Sequence, residues 1–244
     1  MQKGLTSTDR GPGSSRIRAV ILDYGQVLAG RPTEEEFGRM AEMFNASYEL
    51  FYGLWEGSRD AYDRGDLTAE EYWLQLAAQT NTSIKPEQIE ILRRLEVEVW
   101  SHPIPGMLKW VSDLRAGGIK TGLLSNMPRD LVTHLRANCG WIENFAFKTF
   151  SAEVRLIKPT PEIYQHTLDG LGVAARETLF VDDREPNIQA ARSLGIHGIQ
   201  FRSIAQLKQD LEDFGFPILP AADSSGTSPA NRAAAKIKVS VLPR

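Results

Sequence analysis

AVILDYGQVLAG, residues 19–30, contains the pattern that decides the fold: an apolar run that ends on an aspartate. The first four residues have the length and β-branched content of a fully buried strand, which is typical of parallel sheets covered by helices on both faces. Asp23 then stands at the carboxyl end of this strand, where open α/β sheets bind their ligands. An aspartate there is also an ordinary cap of a turn or helix, so both interpretations stay open at this point.

The composition indicates a soluble protein with a sizeable core. The chain has 244 residues, 42% of them hydrophobic, which suits one α/β domain with an insertion or two small domains. A net charge of −3 provides no basic field for nucleic acid. Cys139, the one cysteine, has no disulfide partner, and we expect a thiol on a helix. Because no apolar stretch reaches about 18 residues and no secretory signal is present, we expect a cytoplasmic protein outside membranes.

From residue 120 onward, apolar runs alternate with helical patterns. This alternation predicts a doubly wound parallel sheet, to which residues 17–22 also belong. The predicted strands are KTGLLSN (120–126), KTFSAEV (148–154), TLFVDD (178–183) and GIHGIQF (195–201), and the predicted helices span residues 129–138, 161–171, 186–194 and 204–214.

Residues 31–100 have no comparable strand and show consecutive amphipathic helical patterns. Thr68 with Glu71 predicts a capping box, and Pro86 suits the first position of another helix. An insert after the first strand lies over the carboxyl end of that strand, so we expect a cap above a site. We assign residues 16–30 and 101–219 to an α/β core, 31–100 to a helical cap, 1–15 to a disordered tail and 220–244 to a flexible tail in which residues 236–242 are a weak candidate for an edge strand.

Asp182 and Asp183 are the strongest candidates for chemistry, because they follow a predicted buried strand directly. Adjacent carboxylates repel each other and lose hydration there unless a cation holds them, and hard oxygen ligands favour Mg²⁺. A double-aspartate turn without any function is the ordinary alternative. The pair therefore indicates a magnesium site without proving one.

Two further polar groups occupy equivalent places. Ser125 and Asn126 close the second strand, and Lys158 lies just before a helix that Thr160 and Pro161 begin. Taken singly, they also fit a common turn and a solvated lysine. Together with the aspartates, they place a nucleophile, anion donors, a positive charge and a metal site at one sheet edge. A carboxylate can attack phosphorus to form an aspartyl-phosphate while Mg²⁺ and a lysine neutralise the oxygens, so this set suits phosphoryl transfer.

Four segments carry a family resemblance: LDYGQV (22–27), LLSN (123–126), IKPTPEIY (157–164) and FVDDREPNIQAARSLGIHGI (180–199). With their order and spacing, residues 17–216 resemble the haloacid dehalogenase-like (HAD) hydrolase superfamily, which implies a Rossmann-like core with an inserted cap. The resemblance implies that Asp23 is the nucleophile and a Mg²⁺ ligand, and that Mg²⁺ is also held by the carbonyl of Gly25 and by Asp183. Asp182 and Asn187 would support these ligands, Ser125 and Asn126 would hold phosphoryl oxygens, and Lys158 would orient Asp23 and neutralise charge.

The helical insert resembles the C1-type cap found in sugar-phosphate phosphatases and in the phosphatase domain of soluble epoxide hydrolase. This resemblance implies a small phosphorylated metabolite as substrate, a sugar phosphate among the candidates, and makes phosphoproteins poor candidates. We expect a monomer or a homodimer. Tyr62, Arg64 and Trp73 are candidates to face a leaving group, although such residues at helical spacing more often pack in a core.

Gly25 departs from most phosphatases of this superfamily, which carry a second aspartate there as general acid and base. Losing this group slows turnover by roughly 10²–10⁴-fold without removing the nucleophile or the metal site. The D-x-G-x-V pattern resembles a branch that includes phosphatases of sugar 1-phosphates. A 2-haloacid dehalogenase, which needs neither the acid nor Mg²⁺, and a catalytically weak binding or regulatory member are the alternatives, and the Asp182–Asp183 pair argues against the dehalogenase.

Overall fold

Five strands form one parallel sheet with the order β3-β2-β1-β4-β5, in a computed structural model that describes residues 17–221. The first strand is central: Ile21 lies beside Gly122 of the second strand and Phe180 of the fourth. This confirms the predicted doubly wound parallel sheet. The strands are β1 (Ala19–Leu22), β2 (Lys120–Ser125), β3 (Phe147–Phe150), β4 (Thr178–Asp182) and β5 (His197–Gln200).

Eleven helices are found within residues 17–221. The four helices predicted from residue 120 onward agree with the observed bounds to within one residue, whereas the helices at 105–116 and 151–154 were not predicted. No helix in this range has both the length and the apolar composition needed to cross a membrane. The helices are α1 (Glu34–Glu42), α2 (Tyr48–Gly57), α3 (Arg59–Asp63), α4 (Ala69–Gln79), α5 (Pro86–Val99), α6 (Pro105–Ala116), α7 (Arg129–Asn138), α8 (Ser151–Val154), α9 (Pro161–Leu171), α10 (Glu185–Ser193) and α11 (Ile204–Asp213).

The sheet is buried on both faces because successive side chains of a strand point in opposite directions. Val20 and Leu22 pack in one apolar cluster with α6, α7 and α11. Ala19 and Ile21 pack in a second cluster with α9 and α10. The continuous apolar run that precedes Asp23 therefore fills two cores at once.

Two predicted boundaries are wrong. The segment 148–154 is a strand only up to Phe150, which pairs with Ser125, and then becomes α8. Since β2 ends at Ser125, the residues after Phe150 have no strand to pair with. Cys139 follows α7 instead of lying within it. The tails predicted at residues 1–15 and 220–244 lie outside the described residues except for 220–221, and so does the weak strand candidate at 236–242.

The helical segment α1–α5 has an apolar core of its own, to which Phe37, Phe44, Trp55 and Trp73 belong. The predicted capping box of α4 is present: the Thr68 hydroxyl accepts the Glu71 N–H at 3.2 Å. Thr33 forms a second capping box at the start of α1. Local sequence signals thus explain where these helices begin, while the division of the chain into core and cap domains stays a prediction.

The chain enters and leaves the helical segment at one place. The Ile104 N–H donates to the Leu28 carbonyl, and the Gly30 N–H donates to the His102 carbonyl, both at 2.7 Å. His102 also bonds the Glu36 carboxylate of α1 at 2.7 Å. Because these two connections are paired, the segment is held next to the carboxyl end of β1.

A buried charge cluster, Arg59, Tyr62, Asp63 and Glu96, stabilises the interior of the helical segment. The Arg59 guanidinium lies 2.6 Å from the Asp63 carboxylate and also pairs with Glu96. The Tyr62 hydroxyl donates to Glu96 at 3.0 Å. The Asp63 carbonyl accepts the hydroxyl of Ser151, which connects the cluster to the first residue of α8.

Replacing Arg59 by methionine should lower the free energy of unfolding by about 3–5 kcal/mol, because Asp63 and Glu96 then stay buried without a cation. The matched control is Arg64→Met in the next turn of the chain, where a partly exposed pair with Asp66 is lost at a cost of about 0–1 kcal/mol. Urea unfolding followed by tryptophan fluorescence measures both values. Equal losses would contradict a central role for the cluster.

Candidate active site

Asp23 stands at the end of β1 with one carboxylate oxygen engaged. Its N–H donates to the Val181 carbonyl of β4 at 2.9 Å. Its Oδ1 accepts the Tyr24 N–H at 2.6 Å and lies 2.9 Å from the Lys158 ammonium. Its Oδ2 has no hydrogen-bond partner among residues 17–221, and the residue lines a cavity. One oxygen of this buried carboxylate is therefore available to a ligand.

Lys158 is buried between two carboxylates. Its Nζ donates to Asp182 Oδ2 at 2.6 Å in addition to its contact with Asp23. Burial opposes the charge, yet the two carboxylates raise the pKa of Lys158 above its ordinary value. The lysine is thus a fixed cation that joins the ends of β1 and β4.

Asn126 holds the main chain of Lys158. The Asn126 side chain donates from Nδ2 to the Lys158 carbonyl at 3.0 Å and accepts the Lys158 N–H on Oδ1 at 2.9 Å. In this arrangement Asn126 positions the lysine, while its expected contact with phosphoryl oxygens stays a prediction. Ser125, its neighbour, is buried and lines the cavity, and its hydroxyl has no hydrogen-bond partner in the described part of the chain.

Asp182 and Asp183 have different surroundings. Asp182 is fully buried, and its two oxygens accept the Arg184 N–H at 2.8 Å, the Asn187 amide at 2.9 and 3.0 Å and the Lys158 ammonium. Asp183 is half-buried, and its Oδ2 accepts the Gln26 amide at 2.8 Å. Asp182 and Asn187 therefore occupy a supporting position, whereas Asp183 keeps an oxygen for a cation.

The charges of this site suit a divalent cation. Oxygens of Asp23, Asp182 and Asp183 lie within 4.8 Å of one another, with one lysine to balance three carboxylates. Burial raises the pKa of Asp23 to about 7, against the opposing charge of Lys158, and burial with the charge of Asp182 raises the pKa of Asp183 to about 6. Carboxylate oxygens that bear unbalanced charge are the donors that Mg²⁺ prefers, so the residues present fit this ion.

Trp100 explains the glycine at position 25. A Cβ built on Gly25 would lie 3.3 Å from the Trp100 ring, which is tighter than ordinary packing. The Tyr24 hydroxyl donates to the Trp100 carbonyl at 2.6 Å and helps to fix this residue. Gly25 itself does not adopt a left-handed conformation, whereas Gln26 does, with φ of 58°. A side chain at position 25 would thus press against the indole ring, which would have to shift by a few tenths of an ångström.

The cavity above Asp23 has a volume of about 220 Å³, which is below the roughly 300–1,000 Å³ of pockets for drug-sized ligands. The helical segment contributes an aromatic wall, defined as Phe37, Tyr48, Tyr52 and Trp55, in which the rings of Phe37 and Trp55 lie 4.9 Å apart. The site therefore admits a small ligand with a group that contacts aromatic rings.

The three residues of the helical segment named from sequence do not line this cavity. Tyr62 donates to Glu96, Arg64 pairs with Asp66 at 2.6 Å, and Trp73 packs inside the helical core. The aromatic spacing of Tyr48, Phe51, Tyr52 and Trp55 was a visible signal, but it did not show which of these rings reach the cavity. Arg31, Arg59 and Arg184 also line the cavity and were missed, because nothing local distinguishes them from other arginines.

Comparisons with known proteins agree with this geometry. A family model described as haloacid dehalogenase-like hydrolase matches residues 16–195. Acyl-CoA dehydrogenase family member 10 of Mus musculus is 27% identical over 229 residues, which cover 89% of this chain and 21% of that protein. Bifunctional epoxide hydrolase 2 of Rattus norvegicus is 31% identical over 216 residues, which cover 80% of this chain and 38% of that protein. The chain spans less than half the length of both relatives.

Solved structures show the same fold. A HAD family enzyme of Bacteroides thetaiotaomicron in complex with magnesium and inorganic phosphate has a TM-score of 0.61 at 21% identity, covering 76% of this chain and 94% of that one. The L-2-haloacid dehalogenase RSc1362 has a TM-score of 0.62 at 22% identity, covering 76% and 86%. At these identities, the likeness concerns the fold alone.

The metal-free protein should become less stable as pH rises. The raised pKa values of Asp23 and Asp183 mean that, between about pH 4 and 7, the folded protein binds more protons than the unfolded one, so the free energy of unfolding falls across this range. Mg²⁺ binds the ionised carboxylates, and it should raise the melting temperature more at pH about 8 than at about 5.

Thermal melting in EDTA and in excess MgCl₂ at both pH values measures this effect. The Asp23→Asn/Asp183→Asn double variant is the control, and it should lose the Mg²⁺ effect and the part of the pH dependence that these two carboxylates contribute. An equal Mg²⁺ shift at the two pH values would show that these carboxylates do not bind the ion.

Proposed function

The chain belongs to the haloacid dehalogenase-like hydrolase family, and on this premise we propose that it is a Mg²⁺-dependent phosphatase of small phosphorylated metabolites. The observation that carries the proposal is the buried Asp23 carboxylate, with one oxygen free towards the cavity and the other held by Lys158. In this proposal the segment α1–α5 is a C1-type cap that excludes water from the site.

The first step is attack by the free oxygen of Asp23 on phosphorus. A bond forms between this oxygen and phosphorus, and the bond from phosphorus to the leaving group breaks, with the electron pair departing on the leaving oxygen. Lys158 and the Tyr24 N–H hold the other oxygen of Asp23, so the attacking carboxylate stays oriented. The Ser125 hydroxyl donates to a phosphoryl oxygen.

The second step is attack by water on the phosphorus of the aspartyl-phosphate. A bond forms between the water oxygen and phosphorus, the bond from phosphorus to the Asp23 oxygen breaks with its electron pair returning to the carboxylate, and inorganic phosphate leaves as the water loses a proton to solvent. Lys158 keeps its positive charge beside the aspartate in both steps, and its stabilising effect grows as negative charge develops on the phosphoryl oxygens. Asp23, Asp183 and the carbonyl of Gly25 would hold Mg²⁺, which when bound neutralises the charge on these oxygens.

Position 25 gives the leaving group no proton. Gly25 carries no acid, and a side chain there would lie against the Trp100 ring, with its Cβ 3.3 Å from the ring. The reaction therefore favours leaving groups that are stable as anions, such as phenols or the C1 oxygen of a sugar. Sugar 1-phosphates and aryl phosphates are accordingly the proposed classes of preferred substrate.

The dehalogenase alternative is supported by the same glycine, since displacement of halide at carbon needs no proton donor. Asp183 supports the phosphatase, because one of its carboxylate oxygens has no side-chain donor among residues 17–221 and is available to a cation. Its carboxylate lies beside Asp23 and is oriented by Gln26, an arrangement that dehalogenation without a metal does not use.

Hydrolysis of phosphate monoesters should require Mg²⁺ and Asp23. An assay of purified protein against a panel of phosphate esters should show release of inorganic phosphate that EDTA abolishes. The Asp23→Asn variant should lose on the order of 10⁴-fold or more of kcat, because an amide is not a nucleophile. Asp113→Asn, an exposed change far from the site, is the control and should leave kcat unchanged.

Release of chloride from 2-chloropropionate without added metal would instead support a dehalogenase. If neither reaction occurs while the protein still binds inorganic phosphate, the chain is a binding member of its family.

The rate should depend steeply on the leaving group. Because no acid at position 25 protonates the departing oxygen, log kcat/KM should fall as the pKa of the leaving group rises across aryl and alkyl phosphates. Steady-state assays under conditions where chemistry limits the rate measure this slope. A flat line would mean that another group, with Tyr24, Gln26 or a residue of the helical segment as candidates, donates the proton.

The Gly25→Asp variant tests whether an added acid at position 25 protonates the leaving group. By itself it should give little gain, since its Cβ meets the Trp100 ring at 3.3 Å. Combined with Trp100→Leu, which makes room, it should flatten the slope for alkyl phosphates. Gly25→Ala with Trp100→Leu is the matched control, because it has the same Cβ without an acid.

A further inference from the structure

Gln26 has a backbone conformation that its side chain disfavours. Its φ of 58° lies in the left-handed region, where glycine is the residue without a steric cost. The conformation is imposed by a tight turn, in which the Tyr24 carbonyl accepts N–H groups from Leu28 at 2.8 Å and Ala29 at 2.9 Å. A glutamine at this position therefore makes the folded protein less stable than a glycine would. We expect its side chain to have a function that explains its presence.

The side chain of Gln26 makes one defined contact. Its Nε2 donates to Asp183 Oδ2 at 2.8 Å, between two residues 157 positions apart in the chain. No other side chain among residues 17–221 donates to the Asp183 carboxylate. Asp182 differs in this respect, because Lys158 and Asn187 hold it in addition to a main-chain N–H. The orientation of the Asp183 carboxylate thus depends on Gln26.

We propose that Gln26 is a positioning residue that holds the Asp183 carboxylate for a divalent cation, an inference that rests on the metal site of the proposed function. One oxygen of Asp183 is held by the amide, and the other stays available. A hydrogen bond to a metal-binding carboxylate fixes its orientation without supplying a ligand.

The neutral amide suits this role better than a charged group. A lysine or arginine in the same place would also donate to Asp183, but its charge would oppose a cation that binds a few ångströms away. A glutamate would repel the Asp183 carboxylate. Glutamine donates one hydrogen bond and leaves the negative charge of the site for the metal.

Two variants separate the effect of the hydrogen bond to Asp183 from the effect of the left-handed backbone conformation at position 26. Gln26→Gly removes the contact and the backbone strain, so the melting temperature of the metal-free protein should stay equal or rise, while the Kd for Mg²⁺ rises by about 10–100-fold. Gln26→Ala removes the contact but keeps the strained φ, so the Kd should rise as much without any gain in melting temperature. Titration calorimetry of metal-free protein with MgCl₂ measures the Kd.

Arg155→Gly is the matched control. Arg155 also adopts a left-handed conformation, with φ of 56°, but it lies at the end of α8 and is exposed. Its replacement should raise the melting temperature and leave the Kd for Mg²⁺ unchanged. In activity assays, Gln26→Gly should need more Mg²⁺ for half-maximal rate than wild type, whereas Arg155→Gly should need the same amount.

An unchanged Kd in Gln26→Gly and Gln26→Ala would overturn the proposal, and so would a wild-type protein that binds no Mg²⁺. If wild type binds Mg²⁺, the variants bind it weakly and no phosphate ester is hydrolysed, the positioning role stands and the proposed phosphatase function fails. The calorimetry therefore tests the role of Gln26, and the activity assay separately tests the phosphatase function.

Discussion

The ammonium of Lys158, buried between Asp23 and Asp182, is the interaction on which the site depends. A buried charge is stable only when its partners surround it, so its distances of 2.9 Å and 2.6 Å to the two carboxylates require the ends of β1 and β4 to be neighbours. Asn126, just beyond β2, holds the main chain of the lysine. The ends of three strands are thereby joined through one residue, two by its ammonium and one by its main chain. The charge of Lys158 can therefore be buried only if the strands are arranged in this order.

The turn after Asp23 contains two unusual residues, Gly25 and Gln26, and each has a physical reason. Gly25 leaves room for the Trp100 ring, which comes from the end of the helical segment. Gln26 accepts an unfavourable backbone conformation and contacts Asp183. The first change removes a possible proton donor, while the second supports a carboxylate of the candidate metal site. The turn thus lacks a carboxylate at position 25 and holds the Asp183 carboxylate through Gln26.

The helical segment closes the cavity by two means. Its aromatic wall contributes apolar surface over the strand ends, while its buried charge cluster links Asp63 to Ser151 at the start of α8. Arg93 of α5 adds a bidentate pair with Asp130 of α7, at 2.6 and 2.9 Å. Directional bonds of this kind favour one placement of the segment over others, which apolar packing alone does less well. The small cavity volume follows from that placement.

The sequence by itself determined the parallel sheet, the bounds of α7, α9, α10 and α11 within about one residue, and the aspartates Asp23 and Asp182 at two strand ends, because periodicity, caps and charged strand ends are local properties. The end of β3 was mispredicted, since a strand lasts only as long as its neighbour pairs with it. Only the tertiary structure decided that Trp100 covers Gly25, that Gln26 contacts Asp183 across 157 positions, and that Tyr52 instead of Tyr62 lines the cavity. Such contacts depend on how each helix is rotated and docked against the sheet, and that rotation is set by the packing of distant residues, which no local pattern encodes.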